Sequence, residues 1–273
     1  MEAIIWSLAI LGGLGIVLGL GLGIASKKLA VKTDPRVEQV REYLPGANCG
    51  GCGFPGCDGL AAALVEGTAA PSACSACSKE NLDKIGEILG VAVQAGEKKV
   101  ARVLCRGDHG ACKDKAAYDG VMDCKAAALV AGGFKMCRVG CLGLGTCARV
   151  CPFGAIKIGE NGIAEIDEEL CTGCGKCAEE CPQHGIVIME QSRPVYAACR
   201  NRDFGKAVLN VCTAGCIGCK LCAKTCPEGA IVMENNLPVF DYEKCIGCGA
   251  CAEKCKPGCI TFLGSAAEEA REA

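Results

Sequence analysis

The sequence predicts a small α+β fold in which one N-terminal transmembrane helix precedes a run of compact, cysteine-lined modules. Three observations predict it: an uncharged stretch from Ala3 to Ala25, 27 cysteines in 273 residues, and the recurrence of those cysteines at two- and three-residue gaps. Only 4% of the residues are aromatic while 38 are glycine, so large apolar side chains alone do not supply a conventional core.

The first element is the apolar one. At about 1.5 Å rise per residue, the stretch from Ala3 to Ala25 is long enough as a helix to cross a hydrocarbon core of about 30 Å. Glu2 precedes it and Lys27, Lys28, Lys32 and Arg36 follow. The positive-inside rule then places everything after residue 26 in the cytoplasm, on a single-pass anchor in the inner membrane, with Trp6 at the outer interface. A cleaved signal peptide fits less well, because a basic leading region is missing and export would carry the thiols into an oxidising space. Gly15, Gly19 and Gly23 repeat every fourth residue, which offers a face for another membrane helix, although glycine is common in such helices anyway.

Cysteine at about a tenth of the residues means a disulfide scaffold, a zinc protein or an iron-sulfur protein. Disulfides are disfavoured by the odd count and the tight spacing, so the thiols are read as reduced and cytoplasmic. A formal net charge of −2 gives no sign of nucleic-acid binding.

Between residues 137 and 262 the chain repeats itself. Cys171, Cys174, Cys177 and Cys181 form C-x2-C-x2-C-x3-C before Pro182, and Cys216, Cys219, Cys222 and Cys226 do the same before Pro227. Cys245, Cys248, Cys251 and Cys255 depart only by inserting Lys256 before Pro257, whereas Cys137, Cys141, Cys147 and Cys151 are spaced C-x3-C-x5-C-x3-C. Three thiolates at successive short gaps wrap a loop around three corners of a cubane, and the fourth corner needs a distant thiolate. Zinc also takes paired C-x2-C motifs, but seldom three such gaps followed by Cys-Pro. The pattern resembles that of two-cluster ferredoxins, in which the last cysteine of each run serves the other cluster.

That resemblance implies a ferredoxin-like fold of short hairpins and small helices around 4Fe-4S clusters. It also implies ligand sets. Cys137, Cys141, Cys147 and Cys181 hold one cluster, and Cys171, Cys174, Cys177 and Cys151 its neighbour. Cys216, Cys219, Cys222 and Cys255 then pair with Cys245, Cys248, Cys251 and Cys226. After each Cys-Pro turn comes a short apolar run, Ile156 and Ile158, Ile186 to Ile188, or Ile231 and Val232, that suits a half-buried strand.

Nearer the N-terminus, Cys49, Cys52, Cys57 and Cys74 follow C-x2-C-x4-C-x16-C, with Gly50, Gly51, Gly53 and Gly56 among the first three. Glycine lets backbone amides approach inorganic sulfur, which favours a fifth 4Fe-4S cluster over a tetrahedral zinc site. A helix is expected from Pro35 behind an Asp34 cap, a second over Asp58 to Glu66, and a third marked by Leu82, Ile85, Ile88 and Leu89.

The order of parts, with Leu-Pro-Gly-Ala-Asn-Cys-Gly-Gly-Cys-Gly-Phe-Pro-Gly-Cys at 44–57 and Cys-Arg-Val-Gly-Cys-Leu-Gly-Leu-Gly-Thr-Cys at 137–147, resembles the B subunit of Rnf electron-transport complexes over nearly the whole chain. The resemblance implies an iron-sulfur subunit of an ion-translocating ferredoxin:NAD oxidoreductase. Reduced ferredoxin and flavin-bearing membrane subunits are its implied partners, and the NAD chemistry lies on another subunit. The alternatives are a membrane-anchored polyferredoxin serving another dehydrogenase or hydrogenase, and a zinc-stabilised scaffold.

The organisation expected is a transmembrane helix at 1–26, an N-terminal cluster domain at 27–92 and a connecting segment at 93–136. Two-cluster modules follow at 137–193 and 194–263, then a polar tail at 264–273 read as a frayed helix. Cys77, Cys105, Cys112, Cys124, Cys199, Cys212 and Cys259 fall outside the five sets. They are read either as buried free thiols or as the source of a sixth cluster built from Cys105, Cys112 and Cys124 with one other. Lys98, Lys99, Arg102, Arg106, Lys113 and Lys115 form a basic run, read as a docking patch for an acidic ferredoxin or as a solvated face. No paired acid/base carboxylates, nucleophile triad or phosphate-binding loop is present, so no catalytic residues are expected, and His109 and His184 stand alone.

Overall fold

The computed structural model describes residues 2–28, 34–93 and 96–264. Lys32 and the tail from Ser265 to Ala273, where a frayed helix is expected, lie outside the described residues. Helix α1 spans Glu2–Lys28, 27 residues. Its described side chains are those of Trp6 and residues 10–25, and the large apolar ones among them, such as Ile10, Leu14, Leu18 and Leu22, are exposed. Over the described residues, no helix is long and apolar enough to cross a membrane.

A three-helix domain follows. Helix α2 (Pro35–Tyr43) starts as expected, with Pro35 in the first turn and the Asp34 carboxylate accepting from the Arg36 N–H at 2.9 Å. Helix α3 (Gly56–Val65) begins two residues before the expected Asp58. Helix α4 (Lys79–Leu89) is capped by the Ser78 hydroxyl and stopped by Gly90, whose φ of 69° is open to glycine at little cost. Val40, Leu60 and Ile85 meet in a small core that also takes in Cys57 and Cys74.

The rest of the chain is one design used twice. In the first copy, β2 (Ile156–Ile158) and β3 (Ala164–Ile166) form an inner hairpin. An outer antiparallel pair joins β1 (Lys99–Val103) to β4 (Ile186–Glu190), in register from Lys99 opposite Glu190 to Val103 opposite Ile186. Helices α5 (Cys124–Leu129), α6 (Thr146–Arg149) and α7 (Lys176–Glu180) lie between these strands in sequence. In the second copy, β5 (Val195–Ala197) pairs with β8 (Ile260–Phe262) outside, and β6 (Ile231–Glu234) with β7 (Leu237–Phe240) inside. Helices α8 (Lys206–Val211), α9 (Leu221–Thr225) and α10 (Ala250–Glu253) complete it.

The expected strands after the Cys-Pro turns are thus present, but β1 comes from the segment read as a connector, so the first copy begins near residue 99. Each core combines a few aliphatic side chains with cysteines: Val100, Ile156 and Ile186 with Cys147, Cys171 and Cys177, and Val195, Ile231 and Ile260 with Cys216, Cys222 and Cys251. The two copies are stitched together by backbone hydrogen bonds from Lys113 N–H to the Val211 carbonyl at 3.0 Å and from Thr213 N–H to the Ala111 carbonyl at 2.9 Å. Arg102 is also not a surface cation. It is 3% exposed, paired with Glu168 and set over the Tyr196 ring of the other copy, so the basic run is not one continuous face.

Candidate metal centres

All the cysteines are free thiols, and most are buried or half-buried. Burial disfavours thiolate, and the effect is visible where thiols crowd together: Cys147 and Cys177 are pushed up to about 12, Cys222 and Cys251 to about 11. Such groups lose their protons only to something that offers positive charge, which is how metal loading couples to proton release.

In the N-terminal domain, Cys49, Cys52 and Cys57 sit close enough to Cys74 to oppose its ionisation further. The Asn48 side chain fixes their loop by accepting from the Cys57 N–H at 2.8 Å. Cys77 is different: its thiol donates to the Tyr43 carbonyl at 3.6 Å, and burial pushes it up to about 11.

In the second copy, Cys226, Cys245, Cys248 and Cys251 line one cavity of about 350 Å³. Cys216, Cys219, Cys222 and Cys255 line another of about 320 Å³, together with Cys259. The buried Cys259 sulfur lies 3.5 Å from that of Cys255 and also neighbours Cys216, and its single S–H favours a thiolate at one or the other. In the first copy, Cys151, Cys171, Cys174 and Cys177 converge, each near enough to raise the cost of ionising another. The backbone supplies donors to these sulfurs. Ala101 N–H points at Cys171, Gly185 N–H at Cys181 and Ala230 N–H at Cys226, each at 3.3 Å.

The remaining set differs from the expected one. The cavity of about 420 Å³ that holds Cys141, Cys147 and Cys181 is completed by Cys124, not Cys137. Cys137 lines a different cavity with Cys105, Cys112, Cys199 and Cys212. The physical reason is the widened C-x5-C loop. Cys141 and Cys147 stand where Cys216 and Cys222 stand in the second copy, since the same ten residues separate Cys141 from Cys151 and Cys216 from Cys226. The loop therefore lacks a counterpart of Cys219, and α5 supplies one from outside. Asp123 caps α5 by accepting from Lys125 and Ala126 N–H, while the Thr146 hydroxyl at the start of α6 accepts from the Cys124 N–H at 2.8 Å and donates to Asp123 at 2.8 Å. The Thr146 hydroxyl, then the Ala126 amide, hold the Asp123 carboxyl down to about 2.

The residues fit polynuclear clusters. Cysteines array around cavity walls, and backbone N–H groups donate to their sulfurs. The loops share a backbone signature as well: a left-handed residue, Gly145, Gly175, Lys220 or Gly249, precedes α6, α7, α9 and α10. The N-terminal centre adjoins the first copy. Gly51 lies so close to the Cys174 carbonyl that a Cβ there would overlap it, and Cys49 is near enough to disfavour the Cys174 thiolate.

Comparison with known families agrees. A model described as a putative Fe-S cluster matches residues 44–76. Models of 4Fe-4S dicluster domains match 136–186, 215–259 and 170–230. Similar chains include the B subunit of the Na(+)-translocating ferredoxin:NAD(+) oxidoreductase complex of Acetobacterium woodii, 46% identical over 89% of this chain and 73% of that one. The B subunit of the ion-translocating oxidoreductase complex of Methanosarcina acetivorans is 44% identical over 78% and 81%. The B subunit of the proton-translocating ferredoxin:NAD(+) oxidoreductase complex of Clostridium ljungdahlii is 40% identical over 88% and 85%. The chain belongs to the family of Rnf-type B subunits. Membership accounts for both cysteine-rich regions within one chain, since the similarity to these relatives covers most of the sequence rather than an isolated ferredoxin motif.

Proposed function

We propose that this chain is the iron-sulfur electron-transfer subunit of a membrane-bound, ion-translocating ferredoxin:NAD oxidoreductase of Rnf type. The observation that carries the reading is the gathering of cysteines into sets of four, three of them around cavities, with backbone N–H groups donating to several of the sulfurs. The ligands are Cys49, Cys52, Cys57 and Cys74 in the N-terminal domain. In the first copy they are Cys151, Cys171, Cys174 and Cys177, then Cys124, Cys141, Cys147 and Cys181. In the second they are Cys216, Cys219, Cys222 and Cys255, then Cys226, Cys245, Cys248 and Cys251. When bound, a 4Fe-4S cluster takes up and releases single electrons. The chain's part is to hold such centres in a row, exclude water from them and tune them with N–H donors.

Reduced ferredoxin is the donor in this reading, and flavin-bearing membrane subunits receive the electrons and carry the NAD chemistry. In this reading helix α1, including the residues whose side chains lie outside those described, is the membrane anchor: 27 helical residues reach about 40 Å, the described large apolar side chains are exposed, and the basic residues that follow support a cytoplasmic cysteine-rich part. The test is iron and acid-labile sulfide on the anaerobically purified full chain, with EPR after dithionite. Equal iron and sulfide with reduced-cluster signals support the reading. Zinc without sulfide sinks it.

A further inference from the structure

One cavity is lined by five cysteines, of which only Cys137 belongs to a 4Fe-4S motif by its spacing, and in the structure Cys124 takes its place in that motif's set. The cavity lies where the two copies meet, between residues 104–140 of the first and 198–215 of the second. Each copy contributes to it in the same way. Cys105 follows β1 by two residues and Cys199 follows β5 by two, and each is succeeded by arginine. Cys137 stands four residues before Cys141 and Cys212 four before Cys216, both with glycine just ahead of the second cysteine. The hydrogen bonds repeat too: Cys141 N–H donates to the Cys105 sulfur and Cys216 N–H to the Cys199 sulfur, each at 3.3 Å. The cavity is thus joined on one side to the Cys124/Cys141/Cys147/Cys181 set and on the other to the Cys216/Cys219/Cys222/Cys255 set.

A second observation is independent of the sulfurs. Lys135 is 1% exposed, and its Nζ donates to the Gly107 carbonyl at 2.8 Å in the wall of this cavity. Among the described residues no carboxylate pairs with it. A buried ammonium needs a compensating anion. Asp114 stands opposite Lys135 across an isolated β-bridge but is exposed and forms no ion pair with it, which leaves the cysteines of the cavity as the buried groups able to supply negative charge.

We propose that Cys105, Cys137, Cys199 and Cys212 hold a sixth 4Fe-4S cluster between the two copies, with Lys135 offsetting its charge. Cys112 also lines the cavity but has no counterpart in the repeated pattern; it meets Cys212 across an isolated β-bridge. The site rests on the iron-sulfur reading above and extends it, because its cavity lies between the cysteine sets of the two copies.

Iron and sulfide counted on the anaerobic full chain test it. The unaltered protein is expected to hold about 24 of each, against about 20 for five clusters, and Cys105→Ser/Cys199→Ser to lose about four of each. Equal iron in both proteins overturns the site while leaving the motif clusters standing. An iron-free parent protein overturns the broader reading instead. Because the double substitution threatens folding, single variants are also compared by EPR of the oxidised proteins. Cys199→Ser is expected to raise a three-iron signal that Cys112→Ser lacks, and identical spectra or the reverse pattern overturns the ligand set.

Discussion

The two cysteine modules share a frame and differ in one loop. In the second copy, Cys216, Cys219 and Cys222 come from one short loop and the first turn of α9 that follows it. In the first, the loop and first turn of α6 give only Cys141 and Cys147, and helix α5 brings Cys124 in through Asp123 and Thr146. A cavity of this kind therefore asks for a sulfur at a place in space, and the chain meets that demand from a contiguous turn or from a remote helix equally well.

Replacing one middle ligand in each copy probes this equivalence most strongly. Cys124→Ser and Cys219→Ser should each lose between about one iron, as a three-iron cluster, and about four, as a whole one, read by iron analysis and by the loss of one reduced-cluster EPR component. Retention of all iron in Cys124→Ser would restore Cys137 to the motif set. Among the described residues, the first copy also has the N-terminal domain as a neighbour. Gly51→Val should push the N-terminal domain off the Cys174 carbonyl, costing about 1–3 kcal/mol. Hydrogen exchange should then rise around Gly51 and Cys174 and stay unchanged in the second copy.

Arg102 ties the copies together, so Arg102→Met should weaken both. With Glu168 partly exposed and able to rehydrate, the loss is about 1–3 kcal/mol in a denaturant titration. The smallest effect is at the imported helix. Asp123→Ala removes its cap for about 1 kcal/mol. Because the folded carboxyl is held down to about 2 while an unfolded aspartate titrates at about 3.9, its contribution is complete above about pH 4 and is lost as the pH falls toward 2. A carboxyl carbon titration by NMR reads this, and a midpoint near 4 in the folded chain would break the capping account.

Much of this architecture is legible before folding. The Cys-Pro turns announce the strands behind them, and Asp34-Pro35 announces α2, because these signals are local. Strand β1 is not legible in the same way: Lys-Val-Ala-Arg-Val is short, and its partner β4 lies far along the chain. Cys124 is lost for a related reason, since a lone cysteine on a six-residue helix has no spacing to mark it. Cys137 is within reach of the sequence. The fourteen residues from Cys137 to Cys151 equal those from Cys212 to Cys226, and aligning the repeats on their Cys-Pro turns matches Cys137 to Cys212 rather than to a motif cysteine.

The outer strand pairs have a consequence for biogenesis. Lys99–Val103 has no partner until Ile186–Glu190 has been synthesised, and Val195–Ala197 waits for Ile260–Phe262. Each module's outer sheet thus closes only after its last strand has left the ribosome, so the cysteines between those strands are all synthesised before the sheet that frames them is complete.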